Sequence, residues 1–94
     1  MFKRKITKVT EVENSSVAVA LSFNEESNLA PLVAACGARE LAKRMRRVAC
    51  RFAVPLAKSE CLAKTLSGVK VGEPVPFQTY KEVAQILTKL KRRP

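Results

Sequence analysis

The sequence predicts one small α/β domain: a mixed four-stranded sheet flanked by helices, in the order β-β-β-α-β-α-α. Three observations carry this expectation. The chain has 94 residues, the length of a single domain. It is 47% hydrophobic and 28% charged, a globular composition and not a disordered one. Its apolar pattern also changes period along the chain, from alternation and short apolar runs before Gly37 to helical steps after it.

Ile6 to Val12 alternates Ile6, Lys8 and Thr10 against Thr7, Val9 and Glu11, rich in β-branched types. This reads as an exposed or edge strand. Ser16 to Phe23 is apolar nearly throughout, as a central strand buried on both faces would be. Asn24 to Asn28, "NEESN", is a polar turn. Leu32 to Cys36 is a second apolar run, entered after Pro31 and stopped by Gly37. From Ala38 to Phe52 the period becomes helical. Leu41, Met45, Val48 and Phe52 recur at steps of four, three and four, and Arg39, Lys43, Arg44, Arg46, Arg47 and Arg51 lie opposite them. "AVPLAKS" is a short strand entered through Pro55. Glu60 to Leu66 is a short helix ended by Ser67-Gly68. "VGEPVP" is a turn. A last helix runs from Phe77 to Lys91, with Tyr80, Val83, Ala84, Leu87 and Leu90 on one face. The basic "KLKRRP" suits the negative end of that helix. The unit around the long helix is expected to have parallel strands and a right-handed crossover.

Composition narrows function. Lys and Arg number 18 against 8 acids, all Glu, for a net charge of +10. Such a balance points to an anionic partner, or to a small domain kept soluble by charge. No apolar stretch approaches the roughly 20 residues of a membrane span, and "MFKRKITK" is followed by no apolar core of a secretory signal. A soluble cytoplasmic protein is expected. Cys36, Cys50 and Cys61 are an odd set with neither disulfide nor zinc spacing, and their apolar neighbours suggest buried reduced thiols. There is no His and no Asp. That removes the common general base, most metal ligands and every Ser-His-Asp or Cys-His arrangement. No cofactor and no metal site is expected.

The residues in this order resemble the cytoplasmic C-terminal domain of the FlhB/YscU family, the specificity switch of flagellar and virulence type III export. The family's "YAVALKY" strand is matched by "VAVALSF" (Val17–Phe23), and "APKVVAKG" by "APLVAACG" (Ala30–Gly37). "VP" before the fourth strand is matched by Val54-Pro55, and "LAxxL" by Leu62-Ala63-Lys64-Thr65-Leu66. "IGxxIPxxLYxxVAxVL" is matched by "VGEPVPFQTYKEVAQIL" (Val71–Leu87). The resemblance spans roughly Val9 to Lys91. It implies one FlhB C-terminal-like domain over residues 1–94, with 1–8 as a basic arm. Family members carry an N-terminal membrane domain, so the chain resembles a stand-alone FlhB-like protein.

The family cleaves itself between Asn and Pro of an Asn-Pro-Thr-His loop, by attack of the Asn side-chain amide on its own backbone carbonyl. Aligned without a gap, those positions are Glu13, Asn14, Ser15 and Ser16. A following Pro has no N–H, so it cannot enter the competing deamidation route, and it restricts the turn. Ser15 does neither. The expectation is a non-cleaving protein, not an enzyme, in which the triplet Asn14-Ser15-Ser16 serves as a turn that sets up the strand.

By resemblance, a substrate-recognition patch maps to Ala30, Pro31, Ala84 and Leu87. Read from residues alone, Ala84 and Leu87 are first the core stripe of an amphipathic helix, since such a stripe is usually core. The basic surface of Arg39, Lys43, Arg44, Arg46, Arg47 and Arg51 suits an acidic protein, anionic lipid or nucleic acid, or is simply a solvated face. The expected function is protein export. The protein would bind export substrates or export-apparatus components as a monomer, peripheral to the inner-membrane export gate. The alternative is a small basic nucleic-acid-binding protein. Against it, aromatics are 5% and none falls on the charged helix face.

Overall fold

Val17–Phe23 is the spine of the sheet, because Ala18, Val19, Ala20 and Leu21 leave no polar side chain to meet water on either face. The computed structural model describes residues 8–24 and 30–91. In chain order it contains β1 (Lys8–Glu13), β2 (Val17–Phe23), β3 (Leu32–Ala38), α1 (Glu40–Arg51), β4 (Leu56–Lys58), α2 (Glu60–Leu66), a 3-10 turn (Phe77–Thr79) and α3 (Tyr80–Lys91). The sheet order is β3-β2-β1-β4. β1 and β3 run antiparallel to β2, and β4 is parallel to β1. The sheet is therefore mixed, as expected, and β3 and β4 point the same way from its two edges. Residues 1–7 of the basic arm, with Ile6 and Thr7 of the expected first strand, Asn24–Asn28 beyond its first residue, the side chain of Leu90 and the end of "KLKRRP" lie outside the described residues, while Lys8 begins β1.

The exposed or edge reading of the first strand is corrected. β1 is an inner strand, with Thr10, Glu11, Val12 and Glu13 all buried. Its polar residues mislead because two of them have partners inside, while Glu11 is buried with one carboxylate oxygen lacking a hydrogen-bond partner. The Thr10 hydroxyl donates to the carbonyl of Pro55 (3.2 Å), and Glu13 meets Arg46. β3 is an edge, and a turn covers its start: Val33 N–H donates to Glu73 O (2.9 Å) and Gly72 N–H to Val33 O (2.7 Å). Gly72 has φ 93°, which an L side chain rarely adopts.

The two faces of the sheet differ in kind. On one, Val12, Val19, Leu21 and Val33 pack with Leu62, Ala63, Leu66, Val75 and Val83 from α2, the following turn and α3. Alternation along β2 turns Ala18 and Ala20 to the other face, against α1. There the layer is thin. A Cβ on Gly37 would stand 2.6 Å from Leu41 Cγ and 2.8 Å from Met45 Sδ, so only glycine lets α1 lie this close. Gly37 thus does not stop β3, which runs through it to Ala38.

That close approach also selects which side of α1 packs. The helix is buried through Ala42 and Ala49. Leu41, Val48 and Phe52, the apolar stripe of the sequence, are 50%, 53% and 70% exposed. The cysteine expectation is corrected as well. Cys36 is half-buried, but Cys50 and Cys61 are exposed, because their buried sequence neighbours Ala49 and Leu62 point to other sides of their helices. α1 ends at Phe52 with Val54 N–H bonded to Ala49 O (2.8 Å) and Ala53 N–H to Cys50 O (3.4 Å), and Ala53 takes φ 55°.

Candidate functional site

Two surfaces follow from this packing: a polar cleft at the β1–β2 loop and an apolar cleft between the start of β3 and α3.

The β1–β2 loop is organised by one side chain. Asn14 Oδ1 accepts from the N–H groups of Ser16 and Val17, both at 2.8 Å. Asn14 Nδ2 donates to Glu60 O at the start of α2 (3.2 Å), and Asn14 N–H donates to Val17 O (3.0 Å). The triplet is the turn expected of it: an Asx turn that starts β2 and ties the loop to α2. Ser15 and Ser16 are exposed. The side-chain amide nitrogen is thus engaged by Glu60 O.

Beside the loop lies a buried carboxylate pair. Glu11 and Glu13 sit two apart on β1 and so share a face, and each is 6% exposed. Arg46 reaches over them from α1. Its Nε lies 3.6 Å from Glu13 Oε2 and its Nη1 donates weakly to Asn14 O (3.5 Å). Burial, then the neighbouring Glu13 charge, hold the Glu11 carboxyl above its ordinary value, and Arg46 opposes that rise. Glu13, Asn14, Ser15, Arg46, Lys58, Ser59 and Glu60 line an open cleft of ≈ 490 Å³. Four of these, Arg46, Lys58, Ser59 and Glu60, are absent from the loop assignment made on sequence. The long-range pairing of α1 and β4 with β1 brings them there, and no local pattern announces it.

The basic surface divides. Arg39, Lys43, Arg44, Arg47 and Arg51 are exposed, while Arg46 is half-buried over Glu13 and belongs to the loop. Lys43 pairs with Glu40 at 3.1 Å.

Ala30, Pro31, Ala84 and Leu87 all line the apolar cleft, although more than fifty residues separate the first pair from the second. Val75, Tyr80 and Val83 complete a lining of ≈ 270 Å³. Pro31 is held in place because its carbonyl accepts from Val75 N–H (2.9 Å). The buried Val83 anchors α3 on the core, so Ala84 stands exposed, Leu87 half-buried and Tyr80 48% exposed at the rim. The stripe on α3 is therefore core on one side and cleft wall on the other. Its small Ala84 leaves the depression.

Comparison with known proteins agrees in sequence and in fold. A family model described as the FlhB HrpN YscU SpaS family matches residues 12–90. The flagellar biosynthetic protein FlhB of Aquifex aeolicus is 33% identical over 72 residues, 76% of this chain and 21% of that protein. FlhB of Borreliella burgdorferi is 36% identical over 74 residues, 78% of this chain and 20% of that protein. The chain thus spans about a fifth of the length of the curated relatives it matches. The crystal structure of the cytoplasmic domain of FlhB from Shewanella putrefaciens is similar with a TM-score of 0.84 and 25% identity, over 92% of this chain and 72% of that one. A mutated EscU C-terminal domain shares the fold with a TM-score of 0.79 and 22% identity, over 86% of this chain and 82% of that one.

Proposed function

The chain belongs to the FlhB HrpN YscU SpaS family, and we propose on that footing that it works as a docking domain of flagellar or type III protein export. In this reading residues 1–94 form one FlhB C-terminal-like domain on the cytoplasmic side. It binds export substrates or export-apparatus components and performs no chemistry. Among the described residues no helix is long and apolar enough to cross a membrane.

The observation that carries the proposal is the convergence of Ala30, Pro31, Ala84 and Leu87 on one apolar cleft. Such a depression accepts an apolar side chain from a partner. Burying one contributes about 1.5–3 kcal/mol, which suits brief, repeated docking better than permanent assembly. The Tyr80 rim adds a ring face and a hydroxyl that orient the incoming segment.

Loss of self-cleavage fits the same reading. Glu13 occupies the position of the cleaving Asn and carries no amide nitrogen. Asn14, one place later, has no following proline and spends its side-chain amide on Ser16, Val17 and Glu60. The domain would then hold one binding state where cleaving relatives have two.

The test is recovery of the native protein with its partners from cells that run a type III export system, read by mass spectrometry. Export-apparatus subunits or export substrates should be enriched, and Leu87→Glu should remove them. Recovery of nucleic acid alone would overturn the proposal in favour of the basic-protein alternative.

A further inference from the structure

α1 presents a second surface, on the opposite face of the sheet from the apolar cleft. Viewed down its axis at 100° per residue, the buried Ala42 and Ala49 face the sheet. Half-buried Met45 comes next. Then Leu41, Val48 and Phe52 fall within about 40° of one another, 50%, 53% and 70% exposed. Arg44 and Arg51 follow immediately, with Arg47 and Lys43 further round, all exposed. The single acid of the helix, Glu40, is held by Lys43.

We infer that this ridge is a membrane-surface anchor that seats on an anionic lipid bilayer. The occupant follows from two features of the ridge. The first is charge: Arg44 and Arg51 beside the stripe, with Arg47 further round, require an anionic surface. The second is the exposed apolar surface that adjoins this charge: Val48 and Phe52 are 53% and 70% exposed, directly beside Arg44 and Arg51. A bilayer surface offers hydrocarbon and phosphate together, so Phe52 and Val48 enter the acyl boundary while the arginines stay among the headgroups. An acidic groove on a protein would have to swallow the helix, and α1 has already committed its alanine side to the sheet. A nucleic acid offers the charge but no hydrocarbon to receive a valine and a leucine. This surface stands apart from the export reading, and either can fail without the other.

The experiment is co-sedimentation with vesicles of phosphatidylglycerol and phosphatidylcholine, compared with phosphatidylcholine alone. The chain has no Trp, so Phe52→Trp gives a single reporter at an already exposed site. The protein should sediment with the anionic vesicles only. The Trp emission should shift to the blue and be quenched by brominated acyl chains. Phe52→Ser should release the protein, and Arg44→Ser or Arg51→Ser should each weaken binding about fivefold. Leu87→Glu, on the other face, should leave vesicle binding unchanged. Failure to sediment with anionic vesicles would overturn the inference. So would a Trp that stays water-exposed on bound vesicles, or adherence untouched by Phe52→Ser, since either shows charge attraction without insertion.

Discussion

Replacing Arg46 by methionine should cost more than any change to the exposed arginines of the same helix. Methionine keeps most of the packing volume and removes the charge that faces two buried carboxylates. At 3.6 Å the Arg46–Glu13 attraction is about 5 kcal/mol at an effective dielectric of 20, and about 1 kcal/mol in water. The pair lies between these limits, because Glu13 is 7% and Arg46 28% exposed at the side chain. Removing Arg46 also removes the one charge that lowers the Glu11 carboxyl, which then rises further above its ordinary value. The expected loss is therefore about 2–3 kcal/mol at pH 7, with an unchanged denaturant slope. It should be smaller at pH 5 than at pH 7, because the raised Glu11 carboxyl then takes up a proton more readily. The wild type carries a weaker form of this dependence. The Glu11 carboxyl titrates above 4.5 in the folded state, so its contribution is fully present below that value and fades as pH rises through the folded one. Urea unfolding at the two pH values measures both effects, and Glu13→Gln in the Arg46→Met background should recover most of the loss. A loss below about 0.5 kcal/mol at pH 7, or one that does not shrink in acid, would refute the ion-pair reasoning.

Ala53 occupies the left-handed residue after α1 with φ 55°, a conformation that costs an L residue roughly 1–2 kcal/mol. Ala53→Gly should raise stability by about 0.5–1 kcal/mol in thermal unfolding, and a decrease would contradict the cap assignment. Gly37→Ala should lower stability by about 1–3 kcal/mol, since its methyl would press on Leu41 and Met45; an unchanged unfolding midpoint would show that α1 yields freely. Long incubation at neutral pH should leave the intact mass of the full chain, and two fragments dividing near Asn14 would show that self-cleavage survives.

How much of this was legible in the sequence depends on the range of the interaction concerned. β2 reads directly, since an apolar run such as Val17–Leu21 fits an inner strand alone. α2 reads directly too, from Glu60 to Leu66, because its stop at Ser67-Gly68 is local. β1 does not, because the burial of Glu11 and Glu13 depends on Arg46, which stands more than thirty residues away. α1 was found as a helix, but its packing face was not. Periodicity reports that Leu41, Met45, Val48 and Phe52 share a side. It cannot report that Gly37 brings the backbone close enough for alanines to pack instead. The apolar cleft was legible only through family resemblance: Ala30 and Pro31 have no local feature that pairs them with Ala84 and Leu87. The polar cleft was legible in its loop and silent in its far wall, where β4 and α2 supply Lys58, Ser59 and Glu60.

A photo-crosslinking residue placed at Ala84, on the wall of the apolar cleft, tests the docking claim most directly. In cells with an active type III export system, illumination should join the protein to an export substrate or an export-apparatus subunit. Leu87→Glu should abolish that product, and the same probe at Ser15 should not form it. No such product at Ala84, or one equally strong from Ser15, would show that the cleft is not where this domain meets its partners.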